Sequence, residues 1–255
     1  MTIMKKIKIS AVSYLNTKPF VYGLIHSDLY DKIDLSLDIP SLCASKLKEG
    51  TVDIGLIPVA VIPEIEGAQI ITDYCISASG KVRTVILASH VPLPNIKTIV
   101  LDYQSRTSIQ LVQILAKYFW HISPKWENAK PGYIERDIKE TTAAVIIGDR
   151  VFDAEKRFEY IYDLGEEWQK MTGLDFVFAC WVANKTIDPE FISEFNKALL
   201  YGELHIPEVI SENESSFPVC NLGDYFRDNI IFRFDDLKRT GLELFLKYNE
   251  KSALK

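Results

Sequence analysis

Cysteine is scarce in this 255-residue chain: Cys43, Cys75, Cys180 and Cys220 stand far apart. No CxxC pair occurs, so a thiol metal knuckle or a dithiol redox motif is not expected, and free thiols of a reducing compartment are. Histidine is as sparse (His26, His90, His121, His205), with no HExxH and no His/Cys/Asp cluster. A metal enzyme is therefore not expected. Walker, GxGxxG and GxSxG loops are missing, which removes the common nucleotide and serine-hydrolase motifs. No apolar run approaches the ~18 residues that mark a membrane span. Basic charge is not in excess: 29 Lys and Arg face 35 Asp and Glu, for a net charge of −6. A nucleic-acid surface would carry a basic stripe. The opening "MTIMKKIKISAV" has two Lys and then a short alternating apolar run, where a secretion signal needs a longer one. A cytoplasmic protein is expected, with no nucleic-acid or membrane partner.

The chain does carry ample core material, 47% hydrophobic residues against 25% charged ones. Its length suits one large domain or two small ones. "IKISAV" (7–12), "IDLSLDI" (33–39) and "VDIGLIP" (52–58) read as strands. Between them lie helices over 18–28, with Pro19 in the first turn, and 40–50, with Ser41 as N-cap and Gly50 as stop. A β-α-β-α-β order implies a mostly parallel sheet with helices on both faces. Strands at 74–89, joined by a Gly-containing turn, open a second series. It continues with a strand at 96–102, a strong amphipathic helix at 104–120, and strands at 142–149 and 158–165. A short helix over 165–173 and a long apolar strand at 176–184 close it. After residue 184 only helices are expected, over 189–202, 207–216 and 234–250. The result is α/β in class, with two lobes: 1–88 plus 183–255, and 89–182. The ligand cleft is expected between them, since sheets of this kind bind ligands at strand carboxyl ends.

Several stretches carry candidate chemistry. Asn16 in "SYLNTKPF" follows the first strand, facing the expected crevice. "QSRTS" follows a strand and opens a helix; Ser105, Thr107 and Ser108 offer hydroxyls and Arg106 a forked cation. Free backbone N–H groups and the helix dipole make such a start an anion site, although Ser105 can equally be a simple N-cap beside a solvent-facing Arg106. In "IGDR", Gly148 allows close backbone approach and Asp149 can cap the next helix. Gly80 and Thr84 lie beside the expected crossover, where they can also be an ordinary turn glycine and a strand residue. Glu166 and Glu167 are adjacent carboxylates, but neighbours on a helix do not face each other, and a solvated helix start is the simpler account. Phe176, Phe178 and Trp181 are core residues, one or two of which can line a pocket.

In order along the chain, "VSYLNTKPF", "DIGLIPVA", "SGKVRTVILAS", "QSRTS", "AAVIIGDR" and "DLGEEWQKMTGLDFVFACW" resemble the chorismate dehydratase family. These enzymes open the futalosine route of menaquinone biosynthesis. The likeness covers roughly residues 7–184 and is weak over the tail. It implies a fold like the type II periplasmic binding proteins, with a mixed, mostly parallel sheet flanked by helices in each lobe. It also implies dehydration of chorismate to 3-[(1-carboxyvinyl)oxy]benzoate without metal or organic cofactor. The family's active-site Asn falls on Asn16. Its hydroxyl residue at the crossover, usually Ser, falls on Thr84, which keeps the hydroxyl and adds a methyl. The SRTS segment falls unchanged on Ser105 to Ser108.

By the resemblance, Asn16 and Thr84 are expected to be catalytic. Ser105, Arg106, Thr107, Ser108, Gly80, Gly148 and Asp149 are expected to bind substrate. No His or isolated carboxylate in these motifs presents itself as the base, so the substrate's enolpyruvyl carboxylate is the candidate. The protein is expected to act as a monomer or homodimer. Two rival functions fit the same fold: a solute-binding protein for a small carboxylate, and the 1,4-dihydroxy-6-naphthoate synthase of the same pathway.

Overall fold

The strand β1 (Ile7–Val12) runs from a partly exposed start into four successive buried residues. Burial on both faces suits a strand held in parallel on both edges. Its partners are β2 (Ile33–Asp38) and β3 (Ile54–Pro58). The computed structural model describes residues 6–130 and 138–253; residues 1–5 and 131–137, which the sequence assigns to the first and second lobes, lie outside the described residues. Helices α1 (Lys18–Ile25) and α2 (Pro40–Lys48) make the crossovers, each with Pro in its first turn. Pro40 takes the first helical position, so Ile39 and not Ser41 precedes the helix. The Ser41 N–H instead donates to the Gln104 carbonyl, 2.9 Å away.

A strand β4 (Gln69–Ala78) then leads through residues 79–84 to β5 (Val85–Ser89). Next come β6 (Thr98–Leu101), α3 (Arg106–Tyr118), β7 (Lys125–Asn128), β8 (Thr142–Ile147), α4 (Val151–Ala154) and β9 (Tyr160–Asp163). Helix α5 (Leu164–Thr172) leads back to β10 (Phe176–Ala183). The tail holds α6 (Pro189–Leu204), α7 (Ile206–Asn213), α8 (Leu222–Asp228), β11 (Ile231–Arg233) and α9 (Asp236–Ala253).

Two sheets result, in strand orders β11-β4-β10-β3-β1-β2 and β7-β6-β8-β5-β9. Both sheets are mixed, as expected, although parallel pairings do not outnumber antiparallel ones in either. Strand β10 is antiparallel to both β3 and β4, and β5 to both β8 and β9. The reason is direction of travel: β4 leaves toward the second sheet while β10 returns from it. For the same reason the strands at 74–89 do not form a hairpin, since β4 and β5 enter different sheets. The expected lobe boundaries at 88/89 and 182/183 cut strands that the sheets keep whole: β5 lies in the second sheet and β10 in the first. The chain changes sheet at 79–84 and 164–175. The tail is not helical throughout, because β11 pairs with β4 at the sheet edge.

Aromatic rings fill the space beneath the first sheet. Phe20 of α1 meets Tyr74, Trp181 and Phe232 at centroid distances of 5.9, 6.0 and 5.0 Å. Helices α1 and α6 approach closely because Gly23 and Gly202 face each other's backbone; a Cβ on Gly23 would lie 1.9 Å from the Ala198 carbonyl oxygen. Helix α9 reaches the other side, where Phe245 packs on Phe176 at 5.1 Å. No described helix is long and apolar enough to cross a membrane.

Both crossings are pinned by one buried carboxylate. Asp163 accepts from the N–H groups of Val82 and Arg83 in the first crossing and of Gly165 and Glu166 in the second. Burial raises its pKa, against the pull of these four donors.

Candidate active site

Where β1 and β3 end, the first sheet meets the N-terminus of α3 and the end of β8. A cavity lies there, with an empty volume of ≈ 480 Å³ including its mouth. Asn16 and Thr17 come from the turn after β1, Thr84 from the first crossing, Ser105 and Ser108 from the start of α3, and Gly148 from the end of β8. Apart from Tyr14, the remaining wall is apolar: Val12, Pro40, Pro58, Ile76, Val82, Val85, Ile147, Phe178 and Ala179.

The α3 start is built by its own sequence. Ser105 has extended backbone and caps the helix, its Oγ accepting from the Ser108 N–H at 3.3 Å. Its Oγ also lies 3.2 Å from the donating Ser108 Oγ. Ser105 thus spends its lone pairs on Ser108 and keeps its own O–H as a donor. Its capping role and an anion-binding role are compatible. Thr84 is 2% exposed. Its Oγ1 lies 3.4 Å from the Val82 carbonyl and 3.4 Å from the Tyr225 hydroxyl of α8. The Thr17 hydroxyl donates to Asn16 Oδ1 at 3.2 Å, leaving the amide N–H groups of Asn16 as its donors.

Four expected site residues lie off this cavity. Arg106 is exposed, since it begins the turn on the helix face opposite the core. Thr107 is buried, but its Oγ1 accepts from the Ala60 N–H at 3.2 Å and so ties the two sheets together. Gly80, at φ +89°, forms a turn whose carbonyl abuts Gly165. Asp149 does not cap α4. It reaches the other sheet, accepting from the Leu15 N–H at 3.0 and 3.2 Å. Burial pushes its carboxyl up to about 6, while the Leu15 N–H and the Lys18 charge pull the other way. Glu167 is buried and not solvated, because Trp120 Nε1 donates to it at 2.7 Å.

Three contributions escape the sequence reading. Tyr14, two residues before Asn16, lays its ring on Gly148; a Cβ there would lie 2.8–2.9 Å from three ring carbons. Gly148 has φ +68°, so the close approach and the left-handed backbone both call for glycine. The Tyr14 hydroxyl bonds to the Gln104 side-chain oxygen. Burial raises its pKa, and the negative charge of Asp102 adds to this. Thr17 was adjacent to a marked residue and could have been found by proximity. Tyr225 lies in the tail, with no local pattern to mark it. Among the described residues that line the cavity there is no Asp, Glu, His, Lys, Arg or Cys, and Tyr14 is the one with an ordinary titrating group. No group of three or more His, Cys, Asp or Glu among the described residues is placed to hold a metal ion.

A family model described as menaquinone biosynthesis matches residues 7–251. The chain belongs to that family. The match includes the tail, where the motif likeness was weak. Solved structures with the same fold have little sequence in common with this member. Protein AF1704 from Archaeoglobus fulgidus is 13% identical, with a TM-score of 0.79 over 98% of each chain. The periplasmic aliphatic sulphonate binding protein SsuA from Escherichia coli is 13% identical, with a TM-score of 0.61 over 98% of this chain and 88% of that one. The CA3427 product of Candida albicans, described as having the generic periplasmic binding protein fold, is 11% identical, with a TM-score of 0.63 over 96% and 90%. The family member is therefore of the periplasmic-binding-protein-like fold, with a role in menaquinone biosynthesis.

Proposed function

We propose that the protein is a chorismate dehydratase, a hydro-lyase that converts chorismate to 3-[(1-carboxyvinyl)oxy]benzoate and water without a cofactor. One observation carries the proposal. An amide from one sheet and a hydroxyl-bearing helix start from the other meet in a single cavity whose described lining residues include no acid, imidazole or cation.

Chorismate bears an enolpyruvyl ether on ring carbon 3 and a hydroxyl on carbon 4. Loss of the carbon-3 proton and of the carbon-4 hydroxyl makes the ring aromatic, so the driving force lies in the substrate. The proton is the barrier. It is acidified through a ring double bond conjugated to the ring carboxylate, and negative charge develops on those oxygens as it leaves. The electron pair of the C–H bond forms the new ring double bond, and the C–O bond breaks with its pair on the departing hydroxyl. Fixed donors facing a developing charge are commonly the largest catalytic term. In this proposal the O–H of Ser105 and the first-turn N–H groups of α3 take a substrate carboxylate. Helix dipoles favour anions there. The Asn16 amide donates to the leaving hydroxyl or holds the enolpyruvyl group, and Thr84 bonds the same region.

The base in this scheme is the enolpyruvyl carboxylate of chorismate itself. The absence of carboxylate and imidazole among the described lining residues supports that assignment. The departing hydroxyl takes the abstracted proton and leaves as water. The proposal includes a cytoplasmic setting and chorismate as the small-molecule partner.

The second reading is a solute-binding protein, favoured by the likeness to SsuA. Mixing purified protein with chorismate and following products by chromatography and mass separates the two. An aromatic enolpyruvyl ether lighter by one water supports the dehydratase. Chorismate bound and returned unchanged refutes it in favour of the binding protein. A 1,4-dihydroxy-6-naphthoate synthase would leave chorismate untouched.

A further inference from the structure

The 3-10 turn Leu15–Thr17 that carries Asn16 begins without a cap of its own: Tyr14, ahead of it, makes no side-chain capping bond. A carboxylate from the other sheet takes that place. Asp149 Oδ1 and Oδ2 stand 3.0 and 3.2 Å from the Leu15 nitrogen, across 134 residues of chain. An acidic side chain there satisfies an orphan donor and faces the positive end of the helical dipole. The turn runs directly into α1, so the cap fixes the start of a continuous helical segment with Asn16 in its first turn. Two more contacts converge on the same spot. The Tyr14 ring lies on Gly148, the residue before Asp149, and the Tyr14 hydroxyl bonds Gln104, next to the Ser105 cap.

We infer that Asp149 is a positioning residue for Asn16: from the second sheet it caps the turn that carries Asn16, so that Asn16 is set for reaction only while the two sheets are closed. The catalytic half of this inference rests on the proposed dehydration; the cap itself does not. Closure over substrate and assembly of the site are then one event, because the residue that orients the amide arrives with the opposite wall. Around the carboxylate stand Lys18 of α1, Tyr14, Cys220 and Tyr225 of the tail, and Arg150 and Asp153 of its own turn.

Two measurements on the full chain test it. In 15N-labelled protein the Leu15 amide proton should shift between pH 4 and 8 as its acceptor titrates, and should stay still in Asp149→Asn, which keeps an acceptor and cannot titrate. This control separates Asp149 from Asp153. In turnover of chorismate, Asp149→Ala should lower kcat about tenfold to a hundredfold, the loss expected for one charge-assisted bond, with a smaller change in KM. Asp149→Asn should restore part of that loss. A Leu15 amide resonance that is the same in wild type and in Asp149→Asn at every pH overturns the cap. A kcat for Asp149→Ala equal to wild type overturns the positioning role. If the Ala chain does not fold, the amide titration decides. If the wild-type chain does not turn over chorismate, the dehydratase proposal falls while the amide titration still supports or overturns the cap.

Discussion

Replacing Gly148 by Ala adds one methyl group, and its two costs can be separated. The first is backbone. At φ +68° an L-residue sits in the left-handed region, which costs about 1–2 kcal/mol. For a chain of this size that corresponds to a melting temperature lower by roughly 2–8 °C. The second is the Tyr14 ring, whose carbons would lie 2.8–2.9 Å from the new Cβ. The ring cannot swing aside without losing its bond to Gln104, worth about 1 kcal/mol. Otherwise the sheets part. Gly50→Ala supplies the control, since Gly50 has φ +69° and nothing within 4 Å of its would-be Cβ. Both variants should therefore melt lower, Gly148→Ala by more because of the added ring cost, and only Gly148→Ala should lose affinity for a ligand held between the sheets. The loss should be about tenfold or more, the factor that ~1.4 kcal/mol sets. Titration calorimetry with 3-[(1-carboxyvinyl)oxy]benzoate, which is not consumed, measures it beside a thermal melt. Equal affinities in the two variants would refute the idea that the Tyr14–Gly148 contact holds the site closed.

Three other perturbations have defined outcomes. Asn16→Ala should lower kcat by about 10²–10³, the usual loss for one preorganised donor, with little change in melting temperature; unchanged turnover removes Asn16 from the chemistry. Ser105→Ala removes the α3 cap and a cavity donor together, so stability should fall by about 1 kcal/mol and KM should rise; an unaltered KM counts against the anion site. Asp149, with its carboxyl pushed up to about 6 from 3.8, binds its proton more tightly folded than unfolded. Stability relative to Asp149→Asn should therefore rise as pH falls from 7 toward 4, by up to ~3 kcal/mol, and be lost again as pH rises through 6. Urea unfolding at pH 4.5 and pH 7 checks the sign, and a difference that grows with pH contradicts it.

How much of this was legible in the sequence depended on how local the cause was. Asn16 and Ser105 were readable because a strand end and a helix start are short-range patterns, and both residues line the cavity. Arg106 shared the same motif, yet its side chain follows the exposed side of α3, which motif proximity cannot reveal. Asp149 looked like an N-cap because caps are usually local; its actual donor is 134 residues away. The same distinction explains the sheets. Strand β10 was evident from eight consecutive apolar residues, but its antiparallel slot between β3 and β4 depends on the route of the whole chain. Tyr225 illustrates the far end of this scale, since a tail helix delivers its hydroxyl to Thr84.

The slot occupied by β10 also orders the birth of the molecule. Strands β1 to β4 leave the ribosome first, yet β3 and β4 share no edge until residues 176–183 slide between them. The second sheet, built wholly from residues 85–163, has no such debt and can close by itself. Synthesis from the N-terminus thus places an incomplete half ahead of a self-sufficient one. During that interval β3 and β4 present unpaired backbone, the kind of edge that recruits other chains. Pairings of such sequence separation are slow to form. Refolding yield, and the need for a chaperone, should therefore depend on the last strand to arrive, so that a circular permutation opening the chain just before β10, which makes β10 ahead of β3 and β4, would shorten the vulnerable stage.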